Sequence, residues 1–240
     1  MSVVKRRPEG PIARAHVALQ SGKLREAEVA CQQILVQNPT HHGALLMLGL
    51  VAIQTNNPKN ALRLFQRAVA SDPKSADSYM NLGIALRILG KKPEGREAMR
   101  QAVKLKPSSA QAQANLGRAE LEDGDPLVAL KHLKKATRSK PRSINILNAL
   151  GTAQMRVGQT AEGLRTFRKA VSVDPKNADA RRNLGTALVG FGDISGAVDA
   201  FAKAHVLVPA DAKTTLHYAT ALAQARRTHE ALPLFRKALA

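Results

Sequence analysis

Tryptophan is absent from the 240-residue sequence, and aromatic residues make up only 3% of it. The single cysteine, Cys31, excludes an intrachain disulfide bond and favours a reducing compartment. No apolar run approaches the ~18 residues of a membrane-spanning helix. The basic N-terminal tail, residues 1–7, is not followed by the apolar segment of a signal peptide. These absences predict a soluble, cytoplasmic protein.

Acidic residues are also scarce, because 18 Asp and Glu stand against 37 Lys and Arg, which gives a net charge of +19. A protein this basic favours acidic partners such as acidic peptides, nucleic acid or anionic membranes, and the charge alone does not choose among them. With 44% hydrophobic residues, the chain is expected to fold.

Several residue types recur with a period of 34 residues. Prolines lie at Pro39, Pro73, Pro107, Pro141, Pro175 and Pro209. Leu-Gly pairs lie at 48–49, 82–83, 116–117, 150–151 and 184–185. Small residues lie at Ala61, Gly95, Ala129, Gly163, Ala197 and Ala231, and large apolar ones at Phe65, Met99, Leu133, Phe167, Phe201 and Phe235. Chance does not align these series, so the chain is a tandem repeat.

Each repeat is expected to form two helices, A and B, joined by tight turns. The Leu-Gly pair lies on helix A, and the small and large apolar residues form one face of helix B. The proline follows helix B and blocks its continuation. A left-handed residue is expected at each A–B turn, where Asn56 takes the place that glycine holds elsewhere. The glycines of this series are Gly22, Gly90, Gly124, Gly158 and Gly192.

The Leu-Gly, Ala-x3-Phe and Pro elements resemble those of the tetratricopeptide repeat (TPR) family. The resemblance implies an all-α fold, a right-handed superhelical solenoid of about seven units that spans residues 8–240 as a single domain. The units are 8–41, 42–75, 76–109, 110–143, 144–177, 178–211 and 212–240. The first unit is degenerate, with Arg14-Ala15 in place of Leu-Gly.

The seventh unit ends without a capping helix, although solenoids usually have a polar terminal cap. Leu232, Phe235 and Leu239 are therefore expected to be partly exposed. This favours a longer chain or self-association through the last repeat.

In the TPR family, the A helices line the concave surface, and their sixth residue faces the groove. That position holds Asn81, Asn115 and Asn183, and Asn148 lies one place earlier in its unit. An amide can pair with both the N–H and the C=O of an extended peptide. The pattern resembles the asparagine ladder in the TPR region of O-GlcNAc transferase, but Ala149 interrupts it. The alternative is a polar residue tolerated on a solvated face.

The resemblance also places four arginines on the concave side, where they can pair with acidic side chains of a bound peptide. They are Arg87, Arg118, Arg156 and Arg182. The two-carboxylate clamp of chaperone-binding TPR proteins is not expected, because no unit has Asn at its ninth position.

A basic segment, residues 131–142, lies on helix B and the following loop of the fourth unit. Its cations are Lys131, Lys134, Lys135, Arg138, Lys140 and Arg142. It has neither interleaved aromatics nor a nucleic-acid-binding motif, so a solubilising surface is favoured over nucleic-acid binding.

No enzyme motif is present, and the scattered histidines, including the loop pair His41-His42, lack metal-ligand spacing. Cys31 occupies a large-apolar position and is expected to be a packing residue. We therefore predict a non-catalytic protein-interaction scaffold without cofactor or metal, which binds a peptide segment of a partner. The alternative is the recruiting TPR region of a larger enzyme of the glycosyltransferase or sulfotransferase type.

Overall fold

The computed structural model describes residues 10–239, except for the side chain of Leu239. The basic N-terminal tail therefore lies outside the described residues. The described residues contain fourteen α-helices and no strand. The helices are α1 Pro11–Gln20, α2 Leu24–Gln37, α3 His42–Gln54, α4 Pro58–Ser71, α5 Ala76–Ile88, α6 Lys92–Leu105, α7 Ala110–Asp123, α8 Pro126–Ser139, α9 Ile144–Arg156, α10 Thr160–Val173, α11 Ala178–Phe191, α12 Ile194–Leu207, α13 Ala212–Gln224 and α14 Thr228–Leu239.

The helices form seven consecutive pairs, and each pair lies within one of the units expected from the 34-residue period. The all-α class and the tandem helical hairpins are thus confirmed. The chain divides into two compact units, Met1–Leu116 and Gly117–Ala240, with the division inside α7. From here on, the first and the second unit are these two compact parts, and the 34-residue units are called repeats.

The ends of the B helices follow from the prolines. Each of α2, α4, α6, α8, α10 and α12 ends two residues before a proline of the 34-residue series. The residue between the helix and the proline is extended, as in Asn38 with φ −138° and Asp174 with φ −143°. A residue before proline avoids the helical region, so the proline ends helix B at the preceding residue.

The A–B turns are left-handed as expected, with one exception. Gly192 has φ 88° and Asn56 has φ 56°, and Gly22, Gly90 and Gly158 behave alike. The expectation is wrong for Gly124, which does not have positive φ. Here the carboxylate of Glu120 folds over the end of α7, and its Oε2 accepts a hydrogen bond from the Asp125 N–H at 3.4 Å. At this turn the carboxylate of Glu120 accepts the hydrogen bond, and Gly124 does not adopt a left-handed conformation.

The glycine of the Leu-Gly pair provides room for the large apolar residue of helix B. A Cβ placed on Gly151 would lie 2.7 Å from Cε1 of Phe167, and one on Gly185 would lie 2.7 Å from Cε1 of Phe201. Such distances are well below van der Waals contact, so only glycine lets the two helices approach this closely. The repeated glycine is therefore a packing requirement.

Cys31 is fully buried and packs with Ala15, Ala44 and Met47 in the first unit. Burial raises the pKa of its thiol to about 11. A thiol that remains protonated is a poor nucleophile, so the packing role expected of Cys31 agrees with its environment.

Candidate functional site

An open groove of about 520 Å³ lies in the second unit, where the C-terminal part of α7 faces α9. We call it the Arg118–Arg156 groove. Its lining residues are Arg118, Leu121, Glu122, Asn145, Asn148, Ala149, Thr152 and Arg156. Three of the residues predicted to bind a peptide, namely Arg118, Asn148 and Arg156, are thus brought together.

Helical spacing explains why these side chains share one surface. On α9 each lining residue lies three or four positions from another one, so that together they form one stripe of the helix. The opposite stripe carries Leu147 and Leu150, which are 1% and 7% exposed in the core. Because the apolar stripe is used for packing, the groove receives the polar stripe of α9.

The amide of Asn148 has an unused acceptor. Its Oδ1 is buried and has no hydrogen-bond partner among the described residues. Thr152 donates its hydroxyl to the backbone oxygen of Asn148, not to the amide, at 2.9 Å. A buried acceptor without a donor is costly, so a ligand N–H that reaches Asn148 would be favoured.

The two arginines of the groove carry exposed guanidinium groups. Arg156 donates from Nη1 to the backbone oxygen of Leu121, which fixes one side of its guanidinium. Arg118 forms no ion pair within the part of the chain that the structure describes. Glu122 is the single carboxylate of the lining, so positive charge exceeds negative charge in the groove.

The other predicted site residues lie elsewhere. Asn81 and Asn115 belong to the first unit, where Asn81 is 9% exposed and Asn115 accepts a hydrogen bond from Gln111 at 3.0 Å. Asn183 is half-buried on α11. The stem of Arg87 packs over Gly95, because a Cβ on that glycine would lie 2.5 Å from Cγ of the arginine. None of these four residues is among those that line the groove.

Arg182 is held by a second set of contacts, which we call the Arg182 cluster. Its Nη1 donates to Oδ2 of Asp211 at 3.3 Å and to the hydroxyl of Thr214 at 3.2 Å, and its Nη2 donates to Asp179. The arginine side chain is only 16% exposed. Arg182 thus links α11 to the start of α13.

The sequence reasoning missed Asp211 in this cluster, together with Asp179 and Thr214. It caps α13, where its Oδ2 accepts a hydrogen bond from the Thr214 N–H at 2.9 Å. Hydrogen bonds from Thr214, with a smaller contribution from the charge of Arg182, hold the pKa of Asp211 below its usual value. The signal that could have found it is an N-cap series with the same 34-residue period. Its members are His41, Ser75, Ser109, Ser143, Asn177 and Asp211.

The histidine pair has a structural role and begins a helix, whereas the sequence suggested a loop. His41 caps α3 and accepts a hydrogen bond from the Ala44 N–H at 3.2 Å. His42 is the first residue of α3, and its Nε2 lies 2.7 Å from the hydroxyl of the buried Ser78.

All six cations of the basic segment, Lys131 to Arg142, are exposed. Residues 10–239 contain no cluster of three or more histidine, cysteine, aspartate or glutamate side chains that could hold a metal ion. None of the helices in this range is long and apolar enough to cross a membrane.

Tandem helical hairpins, five of them with a glycine beneath the large apolar residue of helix B, and periodic prolines that end the B helices define a TPR domain. Residues 3–225 match the family model described as the cilia and flagella-associated protein 70 C-terminal domain, and the chain belongs to this family. No curated protein sequence matches the chain significantly.

Solved structures share the fold at low sequence identity. A chain of the APC/C hetero-tetramer Cut9–Hcn1 aligns with a TM-score of 0.80 and 18% identity over 99% of this chain, which spans 47% of that chain. PilF of Pseudomonas aeruginosa aligns with a TM-score of 0.77 and 20% identity, covering 89% and 96% of the two chains. YrrB, described as a TPR protein with an unusual peptide-binding site, aligns with a TM-score of 0.64 and 20% identity, covering 78% and 96%. These comparisons confirm the TPR fold but not the resemblance to O-GlcNAc transferase.

Proposed function

We propose that this TPR domain is a non-catalytic scaffold that binds an extended, acidic segment of a partner protein in the Arg118–Arg156 groove. TPR proteins are typically protein-interaction scaffolds, and the family assignment supports that general role. The observation that carries the finer proposal is the unpartnered Oδ1 of Asn148, which lines the same groove as two exposed guanidinium groups.

The groove offers complementary groups for both parts of a peptide. Arg118 and Arg156 can each bind a carboxylate through two parallel hydrogen bonds, which favours Asp or Glu side chains in the ligand. The Asn148 Oδ1 can accept one backbone N–H, which does not depend on ligand sequence. Acidic side chains would thus supply the specificity and the backbone would supply the register.

The groove's shape and composition agree with this mode of binding. It is open, and of its lining side chains only Leu121 and Ala149 are apolar. An enclosed apolar pocket suits a small molecule, whereas an open polar groove suits an extended chain. YrrB supports the general idea, since a peptide-binding site is described for that TPR protein.

An array of fluorescent peptides with graded Asp and Glu content tests the proposal on the full chain. Wild type is expected to prefer acidic peptides. The Arg118→Gln/Arg156→Gln variant is expected to lose about 100-fold in affinity, because each charged hydrogen-bonding group contributes roughly 1.5–3 kcal/mol.

The matched control is Arg63→Gln/Arg236→Gln, which removes the same charge from two exposed arginines that belong neither to the groove nor to another basic cluster named in this protein. It should bind within about threefold of wild type, since distant exposed charges are screened. Equal losses in the two variants, or no preference for acidic peptides in wild type, would overturn the proposal.

A further inference from the structure

A second cationic surface lies on helices α8 and α10 of the second unit, apart from the groove. We call it the α8–α10 basic surface. Its members are Lys131, Lys134, Lys135, Arg138, Lys140, Arg142, Arg165, Arg168 and Lys169, and all are exposed. A solubilising role accounts for the basic run on α8. The second row of cations, on α10, needs a further explanation.

The two rows occupy the same place in consecutive repeats. Lys131, Lys134 and Lys135 are followed 34 residues later by Arg165, Arg168 and Lys169. Both helices pack against α9. Their apolar stripes are buried, as shown by Leu133 at 0% and Phe167 at 3% exposure. The cations therefore occupy the stripe that packing leaves to solvent.

These cations are almost uncompensated. Residues 126–142 contain no Asp or Glu, and Glu162 is the single acidic residue of α10. Glu162 accepts an ion pair from Arg165 at 3.0 Å, and both side chains are largely exposed. The other eight cations of the surface form no ion pair within residues 10–239. A concentration of like charge costs stability through self-repulsion, so an anionic partner would relieve it.

The surface also lacks the features that other anionic partners require. Protein interfaces centre on aromatic and apolar side chains, and this surface has no aromatic residue. Leu127, 65% exposed, is the one large apolar side chain exposed on α8. Stable membrane attachment needs an apolar signal besides a basic patch, and single-stranded nucleic acid is held by stacking on aromatics. A duplex phosphate backbone needs neither.

We propose that the α8–α10 basic surface binds the phosphate backbone of double-stranded nucleic acid without reading its sequence. Lys131 and Arg138 are seven positions apart, which corresponds to about 10 Å of helix and is comparable with the ~12 Å width of a major groove. These two cations of α8 can therefore contact phosphates on both sides of a groove. The proposal does not depend on peptide binding in the Arg118–Arg156 groove.

The test is fluorescence anisotropy of the full chain with a labelled duplex of about 20 base pairs, roughly two helical turns. The logarithm of the binding constant is measured against the logarithm of salt concentration between about 50 and 200 mM. Two duplexes of unrelated sequence are expected to bind within about twofold of each other, because phosphate contacts carry no sequence information.

Each phosphate contact contributes about 0.9 to the slope of this plot. The Lys131→Gln/Lys134→Gln/Lys135→Gln/Arg138→Gln variant is therefore expected to have a slope smaller by about 3 to 4. A matched control removes four exposed cations of the first unit: Lys59→Gln/Arg63→Gln/Lys74→Gln/Lys92→Gln. It should keep the wild-type slope.

Three results would overturn the proposal. One is a wild-type slope near zero, and another is an equal reduction in both variants, which would mean that net charge alone drives binding. The third is adsorption to vesicles that contain anionic lipid without any binding of the duplex, which would assign the surface to membranes. Because circular dichroism reports helix content, it shows whether the variants remain folded.

Discussion

Arginines of the A helices have two different environments within the second unit. In the Arg118–Arg156 groove they are exposed and face solvent. In the Arg182 cluster the arginine is 16% exposed, with Asp179, Asp211 and Thr214 as its acceptors. The two arginines occupy different positions, because Arg182 is the fifth residue of its repeat and Arg118 is the ninth. Arg182 forms an ion pair with Asp211, the charged N-cap of the following repeat, whereas Arg118 forms no ion pair within residues 10–239. The contact with Asp211 makes Arg182 a connection between repeats.

The two regions therefore differ in how they affect stability. The cluster satisfies its charges and hydrogen bonds within the protein, which stabilises the seventh repeat. The groove leaves the Asn148 Oδ1 without a partner, which costs stability. Such a cost is expected if the amide serves the proposed peptide binding, because binding residues commonly reduce stability.

Replacement of Asp211 should give the largest effect. Asp211→Ala removes the cap of α13 and the ion pair of Asp211 with Arg182, and leaves the arginine with Asp179 and Thr214 as acceptors, so the free energy of unfolding should fall by about 2 kcal/mol. Urea unfolding measures the loss. Ser143→Ala is the control, since that side chain makes no capping hydrogen bond, and should change stability by less than ~0.5 kcal/mol. Similar losses in the two variants would contradict the comparison.

Asp211 also shows what the sequence could predict about the fold. Helix pairs, repeat boundaries and the role of the Leu-Gly glycine follow from period and residue size. The turn at Gly124 does not, because it depends on where the Glu120 carboxylate folds. Contacts between side chains of different repeats, such as Arg182 with Asp211, leave no periodic pattern and need coordinates.

Removal of the Asn148 amide should weaken the binding of acidic peptides by about 1 kcal/mol. Asn148→Ala deletes a buried acceptor without a donor, so stability should stay unchanged or rise while affinity for acidic peptides falls about tenfold. Calorimetry and peptide titration measure the two quantities. Gln154→Ala on the same helix is the contrast, because its side chain accepts a hydrogen bond from Thr166 at 2.7 Å and should lose stability. A loss of stability in Asn148→Ala would contradict the role proposed for the amide, because it would mean that the amide already has a stabilising contact within the folded protein.

The proposed binding site was only partly predictable from sequence. Family positions indicated Arg118, Asn148 and Arg156, which the groove unites, but they also indicated Arg182, which the fold uses internally. Thr152 was missed, although it lies one turn beyond Asn148 on the same stripe of α9. The position of a residue in the repeat predicts which face of the helix it occupies. Whether its side chain is bound to another side chain depends on the neighbouring repeat.

The pH dependence of the Arg182 cluster should give the smallest effect, because the Asp211 side chain is 38% exposed. Its folded pKa lies below the ordinary value of 3.8, so the unfolded chain takes up the proton first as the pH falls. The stability contributed by Asp211 is therefore complete at neutral pH. It declines below 3.8 as the pH approaches the folded pKa.

The difference in unfolding free energy between wild type and Asp211→Asn should thus be larger at about pH 7 than at about pH 3. Burial, together with the charges of Lys213 and Arg182, lowers the pKa of His217 from its ordinary value of 6.5. Because the unfolded chain takes up this proton more readily, His217 destabilises the fold as the pH falls below 6.5. Both proteins are therefore compared on a His217→Gln background, which removes that contribution. A difference independent of pH would mean that Asp211 acts only as a neutral cap and that its charge does not help to hold Arg182.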